Sequence, residues 1–151
     1  MADEFSEKNT SSDSSNPHLD LRYLVVDDMF TMRAIMKRML TTMGIKNIAD
    51  AKDGKVAAEL IRLEAAKGTP FHIILSDMNM PEMTGMELLK HCRANEAFKN
   101  VGFIMVTAEM DPVQIENAKK FGVDYYFSKP IVEQQFLDAL KGVYTKRFQK
   151  K

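Results

Sequence analysis

Four short apolar runs in this chain are each followed by a side chain capable of ionic or covalent chemistry. The runs and the residues after them are Tyr23–Val26 before Asp27 and Asp28, Ile73–Ser76 before Asp77, Phe103–Val106 before Thr107, and Tyr125–Ser128 before Lys129. Such short, nearly continuous apolar runs predict strands buried on both faces of a parallel sheet. Groups just past the carboxyl ends of such strands gather in one crevice. We therefore expect three carboxylates, a hydroxyl and an ammonium to meet at one edge.

This set of groups suits the transfer of a phosphoryl group. Like charges raise one another's pKa values, so Asp27, Asp28 and Asp77 stay ionised together only beside a cation. Ligands that are all oxygen atoms, with room for water, suit Mg²⁺. A carboxylate oxygen of Asp77 could accept a phosphoryl group, giving an aspartyl phosphate. The Lys129 ammonium and the Thr107 hydroxyl would then bind phosphoryl oxygens, and such charge placement supplies most of the catalysis in phosphoryl transfer.

Each residue taken alone has a simpler explanation. An aspartate after a strand is commonly a helix N-cap, a threonine at a strand end commonly a turn residue, and a lone lysine commonly a solvated one. The functional interpretation depends on the ordered set, because four strand ends carry one reactive group or pair each.

Composition narrows the classes of function. The 151 residues contain 21 basic and 21 acidic side chains, so net charge gives no argument for binding nucleic acid or an acidic membrane. The single cysteine, Cys92, rules out an internal disulfide and fits a reducing compartment. No run approaches the roughly 18 apolar residues of a spanning helix, and the N-terminus lacks a secretory pattern. We expect a cytoplasmic monomer.

The chain divides into a tail and one domain. Residues 1–18 are rich in Ser, Asn, Asp and Glu without a hydrophobic period, which predicts a flexible acidic tail. Residues 19–151 form the predicted domain, in which five strand signals alternate with five helix signals. This order predicts a single α/β domain, a doubly wound five-stranded parallel sheet with helices on both faces.

Local signals predict several element boundaries. Met32, Ile35, Met36, Met39, Leu40 and Met43 follow helical spacing, and Gly44 is the predicted stop. Asn47–Ala49 is a weak strand signal. Asp111 and Pro112 predict a cap and a first helical position, and Gly122 predicts the end of that helix.

The motifs resemble a known family. The segments that carry the resemblance are Leu24–Asp28, Ser76–Pro81 with Gly85, Met105–Glu109 and Tyr126–Pro130. They are similar to the receiver domain of two-component response regulators, and within that family to the single-domain chemotaxis regulators. The resemblance runs from about Leu21 to Tyr144, with the motifs in the family's order.

The resemblance implies a role for each site residue. It implies that Asp77 is the phosphoacceptor, that Asp28, Asp77 and the backbone carbonyl of Asn79 are direct Mg²⁺ ligands, and that Asp27 holds the metal through water. By the same resemblance, Thr107 and Lys129 bind the phosphoryl group. It also implies that Tyr126 is the switch aromatic and that Asn79 and Glu109 tune the phosphoryl lifetime. The same likeness implies a cis Lys129–Pro130 bond.

The function implied is a signalling switch, not a turnover enzyme. A CheA-like histidine kinase would phosphorylate Asp77 with Mg²⁺, and an altered face would bind the flagellar motor switch protein. A phosphorelay shuttle is the alternative. A phosphatase of the haloacid-dehalogenase type also uses an aspartate nucleophile, but that family has a second aspartate two residues later, where this chain has Asn79.

Overall fold

The computed structural model describes residues 17–148. The predicted acidic tail therefore lies outside the described residues, except for its last two positions. After a short 3-10 helix at Pro17–Asp20, the elements are β1 (Arg22–Val26), α1 (Phe30–Thr42), β2 (Asn47–Ala51), α2 (Gly54–Ala66), β3 (Ile73–Asp77), α3 (Gly85–Arg93), β4 (Gly102–Thr107), α4 (Pro112–Lys120), β5 (Tyr125–Ser128) and α5 (Glu133–Arg147).

The strands form one parallel sheet in the order β2-β1-β3-β4-β5. Two apolar clusters cover its faces, as the doubly wound prediction requires. Alternate residues of β1, such as Leu24 and Val26, pack with residues of α2, α3 and α4 on one face. Tyr23 and Val25 pack with residues of α1 and α5 on the other. The predicted fold class is confirmed.

The prediction that four strands are buried on both faces holds for three of them. The central strand β3 is buried along its whole length, and so is β4, while β1 is buried from Tyr23 onward. The prediction is wrong for β5, where Tyr125 is 39% exposed and no residue is fully buried. β5 is the last strand in the sheet order, and its neighbour α4 contributes a single buried residue, Ala118, to the core.

Other boundaries follow the local signals with one difference. Asp53, Thr84 and Asp111 cap α2, α3 and α4 through their side chains. Gly44 and Gly122 end helices with positive φ angles, as predicted. The weak second strand is longer than predicted, because its pairing with β1 continues through Asp50 and Ala51.

The apolar stripe of α1 is wider than the core needs. Met36 and Leu40 are buried, whereas Ile35 is 54% exposed. Ile35 lines an apolar surface groove with Met32, Met39 and Pro130. Helical periodicity predicted the helix correctly but could not separate its core face from this groove.

The loop after β3 passes very close to the start of α3. A Cβ atom added at Gly85 would lie 2.2 Å from the backbone oxygen of Asp77 and 2.9 Å from the Cα of Met78. The Gly85 amide also donates a hydrogen bond to the Met78 carbonyl at 2.8 Å. Gly85 thus lets the helix approach the backbone that carries Asp77.

We expect Gly85→Ala to lower the free energy of unfolding by about 2 kcal/mol or more, because backbone atoms must move to admit the methyl group. Gly142→Ala in α5 is the matched control. There the added Cβ meets the Tyr125 hydroxyl, the far end of a side chain, at 2.4 Å. Urea denaturation of both variants checks the prediction, and an equal loss in both would contradict it.

Candidate functional site

The order of the sheet assembles the site. β1, β3, β4 and β5 are consecutive parallel neighbours, so their carboxyl ends lie side by side. The registers pair Val26 with Ser76, Asp77 with Val106, and Thr107 with Ser128. The reactive groups therefore follow paired positions at one edge, and carboxylate oxygens of Asp27, Asp28 and Asp77 lie within 4.8 Å of one another.

Asp27 and Asp28 are adjacent in sequence but differ in environment. Asp27 is fully buried and both of its carboxylate oxygens have partners. Oδ1 accepts a hydrogen bond from the Met29 amide at 2.9 Å, and Oδ2 accepts one from Lys129 Nζ at 2.9 Å. Asp28 is exposed. A ligand arriving from solvent would thus find the Asp28 carboxylate more available than that of Asp27.

Lys129 lies between two of the carboxylates. Its Nζ is 2.9 Å from Asp27 Oδ2 and 3.6 Å from Asp77 Oδ1, and its side chain is 14% exposed. The Lys129 amide donates to the Thr107 carbonyl at 2.8 Å, which ties the end of β5 to the end of β4. The Lys129–Pro130 bond is cis, so that prediction is confirmed.

Asp77 is held in a buried and crowded position. Its Oδ1 accepts a hydrogen bond from the Met78 amide at 2.9 Å. Burial raises the pKa of Asp77, the Lys129 ammonium opposes that rise, and the charges of Asp27 and Asp28 add to it. The net pKa lies above the ordinary value because one lysine does not compensate for burial and two neighbouring acids.

The remaining predicted residues lie around this centre. Thr107 is buried, and its Oγ1 accepts a hydrogen bond from the Glu109 amide at 3.3 Å. Tyr126 is half-buried, and its pKa is raised by burial and then by the charges of Asp111 and Asp77. Asn79 and Glu109 are exposed. The side chains predicted for the site therefore lie at a strand end or on the segment that follows it, except for Tyr126, which lies within β5.

The donor set fits a hard divalent cation. The clustered ligand atoms of Asp27, Asp28 and Asp77 are all carboxylate oxygens, the type that Mg²⁺ prefers. One member of the cluster, Asp28, is exposed to solvent, which suits the water ligands that Mg²⁺ usually keeps.

Sequence reasoning missed two charged residues beside the site. Arg33 on α1 donates from Nη1 to the Asp27 carbonyl at 2.8 Å and from Nε to Asp50 Oδ2 at 2.9 Å. Asp50 lies near the carboxyl end of β2, the strand with the weakest signal. The available clue was the position of Arg33, six residues after Asp27 and outside the apolar stripe of α1.

Comparison with known proteins agrees with this geometry. The profile of the response regulator receiver domain matches residues 23–141. The chemotaxis protein CheY of Pseudomonas aeruginosa is 36% identical over 124 residues, which cover 82% of this chain and 96% of that protein. The chain belongs to the response regulator receiver family.

Solved receiver structures share the fold. Chemotaxis protein CheY4 of Vibrio cholerae superposes with a TM-score of 0.71 at 30% identity, covering 82% of this chain and 98% of that one. The receiver domain of sensor histidine kinase PA1611 from Pseudomonas aeruginosa has a TM-score of 0.72 at 22% identity, covering 83% and 98%, and holds magnesium in its active-site cleft. Within residues 17–148 of this receiver, no helix is long and apolar enough to cross a bilayer.

The raised pKa of Asp77 makes this receiver's stability depend on pH. Between the ordinary pKa and the raised one, the native state binds more protons than the unfolded state, so stability falls as pH rises through that window. Above the window the loss stays constant. In a chelating buffer we expect Asp77→Asn, which resembles the protonated acid, to be more stable than wild type at pH 7.

This advantage should shrink as pH falls through the raised pKa of Asp77. Urea denaturation of both proteins at several pH values measures it. A difference that is independent of pH would show that Asp77 does not titrate as described.

Proposed function

We propose that this receiver is a signalling switch of a two-component system, in which Asp77 accepts a phosphoryl group from a histidine kinase. The observation that carries the proposal is the position of the Lys129 ammonium between the buried Asp27 and Asp77 carboxylates. A cation at this position can stabilise the negative charge of a phosphoryl group on Asp77.

In the proposed reaction a carboxylate oxygen of Asp77 attacks phosphorus. The P–O bond to Asp77 forms while the P–N bond to the kinase's histidine breaks, and the histidine leaves as a neutral imidazole once protonated. Mg²⁺, when bound, neutralises charge on the phosphoryl oxygens. Asp28, Asp77 and the Asn79 backbone carbonyl would hold it directly, and Asp27 would hold it through water. The two existing hydrogen bonds of Asp27 support the indirect role.

The same residues would read the phosphorylated state. Lys129 would pair with one phosphoryl oxygen. The Thr107 hydroxyl, which accepts a hydrogen bond from the Glu109 amide, would donate a hydrogen bond to a second phosphoryl oxygen. Tyr126, which is half-buried on the neighbouring strand, would turn into the space that Thr107 leaves. Asn79 and Glu109 are exposed beside the site, where polar side chains can orient the water that hydrolyses the acyl phosphate.

The output would pass through protein contact on the α4–β5–α5 face. Met110, Val113 and Val132 are 46%, 68% and 55% exposed at or near the starts of α4 and α5. The motor switch protein is the partner that the chemotaxis relatives favour, with a CheA-like kinase as donor. A face with this apolar content predicts binding that depends little on long-range charge.

Asp77→Asn should abolish phosphorylation, because the amide nitrogen replaces a nucleophilic oxygen while the shape is kept. Incubation with acetyl phosphate and Mg²⁺, followed by intact-mass measurement, tests this. Asp138→Asn, a surface change on α5, is the control and should gain the adduct at the wild-type rate. A phosphate adduct on the Asp77 variant at that rate would refute the assignment.

Asp28→Ala should weaken Mg²⁺ binding by about tenfold or more, and Asp27→Ala should weaken it less. The reason is that Asp28 is exposed, whereas the Asp27 carboxylate already pairs with Lys129. Isothermal titration calorimetry without phosphodonor compares the two variants. Equal losses would contradict the direct and water-mediated roles.

Activation should raise affinity for an N-terminal peptide of a motor switch protein by about tenfold, provided that Tyr126 is intact. The comparison uses wild type with and without a beryllofluoride phosphate mimic, with Tyr126→Ala as the test of the switch. The gain should survive raised salt. No gain on activation would remove the motor-switch output and favour a phosphorelay shuttle.

A further inference from the structure

Arg33 joins the loop of the two acidic residues to the neighbouring strand β2. Its guanidinium donates to two acceptors, from Nη1 to the Asp27 carbonyl at 2.8 Å and from Nε to Asp50 Oδ2 at 2.9 Å. The side chain is 15% exposed, and it also lies over the ring of Phe30 at 5.7 Å. A planar fork of this kind fixes two acceptors relative to one another, which a lysine cannot do.

The carbonyl that Arg33 contacts belongs to the peptide group between Asp27 and Asp28. The side chain of Asp27 is fixed separately, through the Met29 amide and Lys129. Asp28 is exposed, and its backbone amide belongs to the same peptide plane as the Asp27 carbonyl. Arg33 connects this peptide carbonyl to the Asp50 carboxylate.

We propose that Arg33 is a positioning residue that clamps the Asp27–Asp28 loop to β2 and so presents Asp28 to Mg²⁺. The clamp itself is a property of the protein without metal, and its consequence for Mg²⁺ rests on the proposed function. Asp50 is the anchor, because its carboxylate holds the guanidinium from the strand side.

A clamp and a simple charge effect predict opposite signs. Arg33 carries a positive charge close to the acidic cluster, so charge alone opposes binding of a divalent cation. Replacing Arg33 with a neutral residue would then tighten Mg²⁺ binding. If Arg33 instead holds the loop in the binding geometry, the same replacement weakens binding.

Lys37 offers a matched control. Its Nζ pairs with the other oxygen of the same carboxylate, Asp50 Oδ1, at 3.3 Å, and its side chain is 41% exposed. Among the contacts of residues 17–148, Lys37 bonds Asp50 and not Asp27. Lys37→Met therefore removes the same charge from the same anchor without touching the loop.

The first measurement uses the metal-free protein. We expect Arg33→Met to speed hydrogen exchange of the Met29 amide about tenfold, because the loop loses a charge-assisted hydrogen bond. Lys37→Met should leave this amide at the wild-type rate, and exchange of the β3 amides reports whether both variants keep the fold. Unchanged exchange in Arg33→Met, or equal acceleration in Lys37→Met, would overturn the clamp.

The second measurement is Mg²⁺ affinity by calorimetry. We expect about tenfold weaker binding in Arg33→Met and in Asp50→Asn, while Lys37→Met binds at least as tightly as wild type. Arg33→Lys should not restore wild-type affinity although it restores the charge. Tighter or unchanged binding in Arg33→Met would overturn the positioning role. If wild type itself does not bind Mg²⁺, the proposed function fails, and the exchange experiment still decides on the clamp.

Discussion

The central constraint on the structure is that three carboxylates are held close together at one end of a sheet. Asp27 and Asp77 are nearly or fully buried, and oxygens of both lie within 4.8 Å of Asp28. Lys129 supplies one compensating charge, and the pKa of Asp77 is nevertheless raised by burial and by its acidic neighbours. In the proposed function, this residual cost would favour the uptake of a cation or the transfer of charge to a bound group. The fold thus maintains an electrostatic imbalance, in which three clustered carboxylates are opposed by a single lysine.

Several contacts outside the cluster maintain that imbalance. The close approach of Gly85 to the Asp77 carbonyl fixes the chain after β3, and the Lys129 amide bonds the Thr107 carbonyl across β4 and β5. Arg33 contacts the Asp27 carbonyl from α1. Each contact constrains backbone next to a charged side chain. The carboxylates therefore cannot separate to relieve their repulsion without loss of backbone hydrogen bonds or packing.

The same arrangement places the end of β4 beside β5, the strand that carries the proposed switch residue Tyr126. Thr107 pairs with Ser128 at the end of β5, and Tyr126 pairs with Met105, two residues before Thr107 on the neighbouring strand. β5 is a partly exposed edge strand, unlike β1, β3 and β4. A buried aromatic in a central strand could not rotate without disrupting the core, whereas Tyr126 is only half-buried. Incomplete burial of β5 is thus compatible with the proposed switch.

The sequence by itself determined the order of elements, the doubly wound sheet and the gathering of the reactive residues. The apolar runs mark the strands, and the carboxyl ends of parallel strands lie at the same edge of a sheet. It could not determine that Asp27 is buried and paired while Asp28 is exposed, because both are aspartates at the end of the same apolar run. Only the tertiary structure showed that β5 and Ile35 are partly exposed, because periodicity identifies an apolar face but not the element that packs against it. The contact of Arg33 with the Asp27 loop, anchored on Asp50, exists only after β2 pairs with β1, which brings together residues 17 positions apart.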